Sequence, residues 1–292
     1  MRTSRRSGSR LFGTKATYGG FAAPPSAAAA AAKGEGRIAR FIGLDLAWST
    51  RNPSGGAVLD ENGRVLEARA DLGDDADVVA FVRAHLAETA VLGIDMPTIV
   101  PNETGMRPCE RELARDFRTY HAAPHPSNRQ RFPDGGRARR MLDVLAADGV
   151  RERLDLAPRA AGRHAFEVFP HPSLVRLFAL PAIIRYKKKA RPWPGVLAEW
   201  ARYRAALAGL AGADPPLVLG PAVPAVAETR GYKRFDDLLD AVTCAYVASF
   251  LWRWGCAPPH TRVYGDLVHG YIAIPDRPVV GDEAIRGNGS YE

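Results

Sequence analysis

Two segments of this chain repeat one pattern, an apolar run in which a glycine stands two residues before an aspartate. They cover residues 42–47 and 92–97. Side chains of a strand alternate between its faces, so each aspartate shares a face with its glycine, which leaves room beside the carboxylate. Aspartate is a poor strand former, and burying an unpaired carboxylate is costly. The pattern predicts two buried strands whose ends carry Asp45 and Asp95 around a shared cation.

The remaining periodicity predicts an α/β fold around these two strands. The sequence Asp60-Glu-Asn-Gly63 predicts a tight hairpin, because Asn-Gly tolerates the positive φ of such turns. A helix between the third and fourth strands lets the fourth return parallel to the first. We therefore expect a mixed five-stranded sheet, three antiparallel strands followed by parallel ones, flanked by helices. The predicted strands are 40–47, 55–59, 64–70, 91–95 and 164–169, with a short one at 270–274; the predicted helices are 75–85, 107–118, 136–148, 173–178, 196–210 and 236–254.

Charge and composition divide the chain into two parts. Residues 1–36 are rich in arginine, serine, glycine and alanine and show no hydrophobic period, which predicts a disordered basic extension. Residues 1–40 hold eight of the 40 lysines and arginines and one of the 32 acids, so only +1 of the formal charge of +8 belongs to the rest. We expect one domain over 37–292, with helical insertions at about 96–163 and 185–233. Its overall charge does not identify a partner.

Cysteine content and hydropathy exclude several protein classes. Cys109, Cys244 and Cys256 are widely spaced, odd in number and without a C-x-x-C pair, which argues against a disulfide framework or a cysteine zinc site. No apolar run approaches the ~20 residues of a membrane helix. These features favour a reduced cytoplasmic protein without a membrane partner.

Further isolated acids complete a candidate site. Glu167 lies inside the apolar run 165–169, and Asp237 and Asp240 are spaced to share one face of the last long helix. Carboxylates from separate elements, without histidine or cysteine ligands, suit Mg²⁺ or Mn²⁺. The predicted metal ligands are Asp45, Asp95, Glu167 and Asp240, and Asp237 joins these four in the predicted catalytic set.

Each acid also has a simpler structural interpretation. Asp45 could cap the turn that follows it, and Asp95 could merely end a strand. Glu167 could pair with a nearby arginine. Asp236 and Asp237 fit the acids expected at a helix start. The combination of these acids in one order of elements is more specific than any one of them.

That order and those acids resemble the ribonuclease H-like superfamily of nucleases, resolvases and integrases. More narrowly, the sequence resembles the domain-of-unknown-function 429 family of predicted ribonuclease H-like nucleases, over about residues 38–275. The resemblance implies that Asp45 and Asp95 match the first-strand and fourth-strand acids and that Asp240 matches the acid of the last helix. Glu167 departs from the pattern, because the second acid of ribonuclease H lies on the first helix; whether one metal or two are bound stays open. The blocks that carry the resemblance are 43–48, 52–55, 93–97, 101–110, 120–121, 126–129, 167–172 and 237–241.

The insertions are the expected substrate surface. Arginines recur at helical spacing in 107–118, where they either follow a phosphate backbone or form a solvated face paired with neighbouring acids. The run 185–191 holds no acid and one tyrosine, which makes it a stronger candidate for phosphate contacts. The predicted substrate-binding residues are Arg107, Arg111, Arg129, Lys187, Lys188 and Lys189.

Together these features predict a metal-dependent nuclease that cleaves DNA or RNA by a metal-activated water. Two alternatives remain open. One is a nucleic-acid-binding or structural protein that has the same fold and no catalysis. The other is an ATP-dependent phosphotransferase of the actin and sugar-kinase type. Against it, this sequence has no glycine-rich second phosphate loop.

Overall fold

The two repeated segments form neighbouring strands at the centre of the sheet. β1 (Ala39–Asp45) and β4 (Thr89–Asp95) run parallel, in register from their first residues to Asp45 opposite Asp95. The structure is a computed structural model that describes residues 38–276. The predicted extension 1–36 therefore lies outside the described residues, as does the end of the predicted domain.

The antiparallel part of the sheet forms as predicted. β2 (Ser54–Asp60) pairs with β1, and β3 (Val65–Leu72) pairs with β2. The hairpin between them closes on Asp60, whose carboxylate accepts the backbone N–H groups of Asn62 and Arg64. Gly63 has a φ of 73°, the left-handed conformation that glycine adopts without strain.

The sheet has six strands, so the expectation of five is wrong. The strand order is β3-β2-β1-β4-β6-β5, in which β6 (Arg163–Glu167) lies parallel to β4 and β5 (Val150–Glu152) lies parallel to β6. β5 has only three residues, too few to show an alternating pattern. A separate hairpin joins β7 (Thr261–Asp266) to β8 (Gly270–Pro275); the sequence predicted β8 but not its partner.

Helices cover both faces of the sheet and bury two apolar clusters. The first and third helices pack on one face against Ile42 and Leu44, and the last helix packs on the other against Phe41. No helix within residues 38–276 combines the length and apolar character needed to cross a membrane. The helices are α1 (Asp75–His85), α2 (Pro108–Phe117), α3 (Gly136–Leu145), α4 (Pro170–Leu177), α5 (Trp193–Ala208) and α6 (Lys233–Trp254).

The approach of α6 to the sheet depends on the glycines of the repeated pattern. A Cβ added to Gly43 would lie 2.0 Å from the carbonyl oxygen of Ala241, and one added to Gly93 would lie 2.3 Å from that of Cys244. The helix backbone thus lies directly on the strand backbones. This contact places the acids of α6 at the carboxyl ends of β1 and β4.

The Gly43→Ala substitution should destabilise the protein by about 3 kcal/mol or more, because the new methyl group meets backbone atoms that cannot rotate away. Gly195→Ala in α5 is the matched control, since its Cβ meets nothing within 4 Å and alanine favours helix. Urea unfolding of both variants measures the difference. Equal stability of the two would contradict the close approach of α6.

Candidate functional site

Three of the predicted carboxylates lie together on the α6 side of the sheet. Asp45 and Asp95 are neighbours at the carboxyl ends of β1 and β4, and both are partly exposed. Each is two residues from a glycine that contacts α6, so both side chains leave the sheet on the helix side. Asp240 is buried on α6, next to the residue whose carbonyl meets Gly43. The structure therefore brings Asp45, Asp95 and Asp240 into one cluster.

Burial and repulsion between carboxylates raise the pKa values of Asp45 and Asp95. Burial raises the pKa of Asp45 to about 6; Lys187 opposes the shift and the charge of Asp240 adds to it. The pKa of Asp95 is raised well above its usual value, first by burial and then by the charges of Asp45 and Asp240. Asp45 and Asp95 therefore bind protons more tightly than solvent-exposed carboxylates do, unless a cation lies beside them.

Asp240 is fixed by hydrogen bonds from an inserted segment and from α5. One carboxylate oxygen accepts the hydroxyl hydrogens of Tyr186, at 2.5 Å, and of Tyr203, at 3.2 Å. The other oxygen accepts a hydrogen bond from the ammonium group of Lys187, whose side chain is 28% exposed. Both oxygens of Asp240 thus have partners, and Lys187 balances its charge.

His171 extends this network toward the surface. Its Nε2 lies 3.2 Å from the hydroxyl of Tyr186. Because that hydroxyl donates its one proton to Asp240, Nε2 of a neutral ring must be the donor, which leaves Nδ1 as an acceptor. Burial lowers the pKa of His171 to about 4, so the ring is neutral at pH 7.

The acids at the start of α6 do not cap the helix. α6 begins at Lys233, and no side chain caps it, so the capping interpretation of Asp236 and Asp237 is not supported. Asp237 accepts a hydrogen bond from the ammonium group of Lys233, which lies one helical turn before it. Oδ1 of Asp236 is buried without a hydrogen-bond partner, 3.9 Å from the nitrogen of Lys233. Burial raises the pKa of Asp236 to about 7.

One protein-family model matches the part of the chain that contains most of the strands and helices of this cluster. The family described as "Protein of unknown function (DUF429)" matches residues 43–262, from β1 into β7. The chain belongs to the DUF429 family. Searches among curated proteins and among solved structures gave no match.

Glu167 of this DUF429 protein lies outside the carboxylate cluster, so its assignment as a metal ligand is corrected here. The β4–β6 register places Glu167 opposite Ile94 rather than Asp95, so its side chain leaves the opposite face of the sheet. Arg107 binds both its oxygens, at 2.8 and 2.5 Å, and the N–H of Thr98 donates to it at 2.9 Å. The arginine interpretation of Glu167 is confirmed.

Arg107 cannot serve as the predicted contact to a substrate phosphate. Its side chain is 1% exposed, and besides Glu167 it binds Glu110, at 2.9 Å, and the carbonyl of Ile99, at 3.0 Å. Glu110 in turn accepts the N–H of Ser127. This buried network joins the loop after β4, the start of α2 and β6, so its role is to hold the insertion in place.

The other predicted substrate contacts lie in different surroundings. Lys187 belongs to the carboxylate cluster, and Lys188 lies over the ring of Trp193 and donates to a backbone carbonyl. Lys189 is exposed and has a φ of 35°. Arg111 is exposed and donates to the carbonyl of Met106; Arg129 is exposed and paired with Glu103 at 2.8 Å.

The DUF429 cluster matches a hard divalent cation in donor type and in charge. Lys187 lies in electrostatic range of four carboxylates, those of Asp45, Asp95, Asp236 and Asp240. One oxygen of Asp236 has no hydrogen-bond partner, and oxygen donors of this kind are the ligands of hard divalent cations. As the side chains stand within residues 38–276, no three histidine, cysteine, aspartate or glutamate residues form a group ready to hold a metal ion. The oxygens of Asp240 are already bound by Lys187 and two tyrosines. Asp45 and Asp95 are therefore the pair that could hold a cation.

Sequence reasoning missed the groups that surround Asp240. His171 and Tyr186 lie in the segments 167–172 and 185–191, whose patterns assign neither of them a role, and no sequence pattern marks Tyr203. A buried aspartate does require donors, which is a usable signal. The signal does not say which tyrosine or lysine, among those in two insertions, supplies them.

We expect Glu167→Gln to destabilise the protein by about 3 kcal/mol, because it breaks a buried ion pair and sets an amide N–H₂ against a guanidinium N–H. Glu103→Gln, at the exposed pair with Arg129, is the matched control and should cost less than about 1 kcal/mol. Chemical denaturation measures both. If Glu167 instead belonged to a group of repelling carboxylates, Glu167→Gln would be as stable as the parent or more so.

The titration of Asp236 predicts a stability gain for Asp236→Asn that grows with pH. The folded-state pKa, about 7, lies above the unfolded value, so the parent loses stability as pH rises from about 4 to about 7. The amide does not titrate. The variant's advantage should be near zero at pH 4 and on the order of 2–4 kcal/mol at pH 8, in metal-free buffer. An advantage independent of pH would show that Asp236 ionises normally.

Proposed function

We propose that this DUF429 protein is a metal-dependent nuclease that hydrolyses phosphodiester bonds of DNA or RNA with Mg²⁺ or Mn²⁺. The observation that carries the proposal is the pair Asp45 and Asp95, in register at adjacent strand ends and facing Asp240. Buried carboxylates that repel each other are stabilised by a divalent cation, and oxygen donors select Mg²⁺ or Mn²⁺ over softer metals.

The topology supports the same proposal. Three antiparallel strands followed by parallel ones, with acids on the first and fourth strands and the last helix, are what the ribonuclease H-like resemblance implies. The acids lie at the carboxyl ends of parallel strands, where α/β sheets commonly bind ligands. Their partial exposure leaves the cluster open to solvent on one side.

Asp45 and Asp95 would hold the cation, which when bound supplies an activated water and stabilises the charge on the leaving oxygen. Asp240 is held beside them by hydrogen bonds from Lys187 and from two tyrosine hydroxyls. Lys187 is partly exposed at the same place, so its ammonium group can also face a phosphate of the substrate. The neutral ring of His171 offers Nδ1 as a proton acceptor beside this cluster.

Exposed cations near the cluster would hold the nucleic-acid backbone. Arg185 and Lys189 belong to the same segment as Lys187, and both are exposed. Arg185, Arg191 and Arg202 also line a surface cavity of about 730 Å³. Cationic side chains bind the phosphates of nucleic acids whatever the base sequence.

The ion pair between Lys187 and Asp240 favours a second candidate, a nucleic-acid-binding protein without catalysis. A lysine that already neutralises the third carboxylate leaves only two for a metal. Such a protein would bind nucleic acid and leave it intact.

The test of the proposal is cleavage by the full-length protein, assayed on single-stranded and duplex DNA and RNA with Mg²⁺ and with Mn²⁺. Asp45→Asn should lower the rate at least about 100-fold, because it removes a carboxylate from the cation pair. Asp143→Asn, at a surface ion pair on α3, is the control and should cleave normally.

Calorimetric titration with Mn²⁺ separates the remaining outcomes. Loss of Mn²⁺ binding in Asp45→Asn, but not in Asp143→Asn, supports the assignment of the site. Cleavage that survives Asp45→Asn would refute it. Nucleic-acid binding without turnover would establish the non-catalytic candidate, and tight binding of Mg²⁺-ATP without cleavage would indicate a phosphotransferase.

A further inference from the structure

An exposed tryptophan lies in the loop that follows the first carboxylate of the cluster. Trp48 is three residues after Asp45, and 57% of its surface is exposed. Three residues span at most about 10 Å, so the backbone of Trp48 lies within that distance of the backbone of Asp45. Burying an indole ring is strongly favourable, which makes a ring exposed at this place a candidate for ligand contact.

Contacts from a second loop fix the ring in place. The ring of Phe132 packs at a tilt against the ring of Trp48, with ring centres 5.3 Å apart. The ring of His125 lies nearly perpendicular to that of Trp48, with ring centres 6.4 Å apart. The guanidinium carbon of Arg131 lies 6.0 Å from the ring centre. The ring is therefore supported on part of its surface and open on the rest.

The supporting loop is itself anchored to the buried network. The carboxylate of Glu110 accepts the N–H of Ser127, and the amide of Asn102 donates to the carbonyl of the same residue. The amide of Asn128 donates to the carbonyl of Gly105. Because both loops are fixed, a ligand that stacks on Trp48 does not have to order them first.

The charges around the ring suit a ligand with phosphates. Arg51, Arg129 and Arg131 are exposed on the two loops; Arg129 is paired with Glu103, and Asp134 is an exposed acid two residues after Phe132. His125, whose ring meets Trp48, is also close enough to His171 to contribute to the lowered pKa of that ring, and His171 shares Tyr186 with Asp240. A ligand that stacks on Trp48 is thus within reach of the carboxylate cluster.

We infer that Trp48 is a stacking platform for an unpaired nucleobase, so that the substrate strand is single-stranded where it enters the cluster. Aromatic rings bind bases of any sequence through their flat faces. A base inside a duplex is already stacked on both sides and cannot use the platform. The inference rests on the proposed nucleic-acid substrate and adds its strand state.

The test measures binding without metal, so that cleavage does not interfere. Fluorescence anisotropy in EDTA compares a labelled 12-nucleotide thymidine strand with an abasic strand of equal phosphate number. The parent should bind the thymidine strand more tightly. Trp48→Ala should weaken that binding at least about fivefold and leave the abasic strand unaffected. Trp48→Phe should keep most of the affinity.

Controls separate stacking from a change in fold. Leu66→Ala removes another exposed apolar side chain, on β3, and should bind both strands like the parent. Intrinsic tryptophan fluorescence of the parent should be quenched by the thymidine strand, and Trp48→Phe should lose this quenching even if Trp48→Ala folds poorly.

The outcomes distinguish this inference from the proposed function. The platform is overturned if the parent binds both strands with equal affinity. It is also overturned if Trp48→Ala weakens the binding of both strands equally, even when cleavage is intact. Base-dependent binding that requires Trp48, in a protein that cleaves nothing, supports the platform and rejects the nuclease. Absence of binding to either strand overturns the platform, and the cleavage assay with Mg²⁺ or Mn²⁺ then decides the nuclease separately.

Discussion

The contact between α6 and the backbones of β1 and β4 is the constraint on which the rest of this structure depends. It exists because Gly43 and Gly93 have no side chain, which lets helix carbonyls approach where a methyl group would collide. The same approach carries Asp240 to the ends of the two strands. Core packing and the chemistry of the site thus have one origin, and any change that moves α6 away from the sheet also disperses the carboxylates.

Buried charge is handled in two different ways on the two faces of the sheet. Glu167 and Glu110 share Arg107 almost completely out of solvent, backbone N–H groups complete their hydrogen bonds, and the network fastens an insertion to β6. On the α6 face, the carboxylates outnumber the lysines, and burial raises the pKa values of Asp45 and Asp236. Buried carboxylates whose oxygens all have hydrogen-bond donors are structural elements, whereas incompletely paired carboxylates at an open strand end form a site that attracts a counter-charge.

The local elements of the fold were predictable, because each depends on residues close in sequence. The Asn-Gly turn, the capped helix α1 and the apolar strands follow from local conformational preference and periodicity. β5 and β7 were missed, since a strand of three residues and a strand of mixed polarity pair only because a neighbour presents a free edge. No local signal specifies such a pairing.

The sequence alone determined the repeated Gly-x-Asp pattern, and with it that each aspartate shares a face with its glycine, because strand alternation fixes which side chains share a face. Only the tertiary structure decided the fate of Glu167. The register of β6 against β4 sends that carboxylate to the far face, where Arg107 from the insertion neutralises it. The tertiary structure likewise brought Lys187 to Asp240, 53 residues away in sequence. Such partners meet only when the chain has folded, so their choice is a property of the packing rather than of any segment.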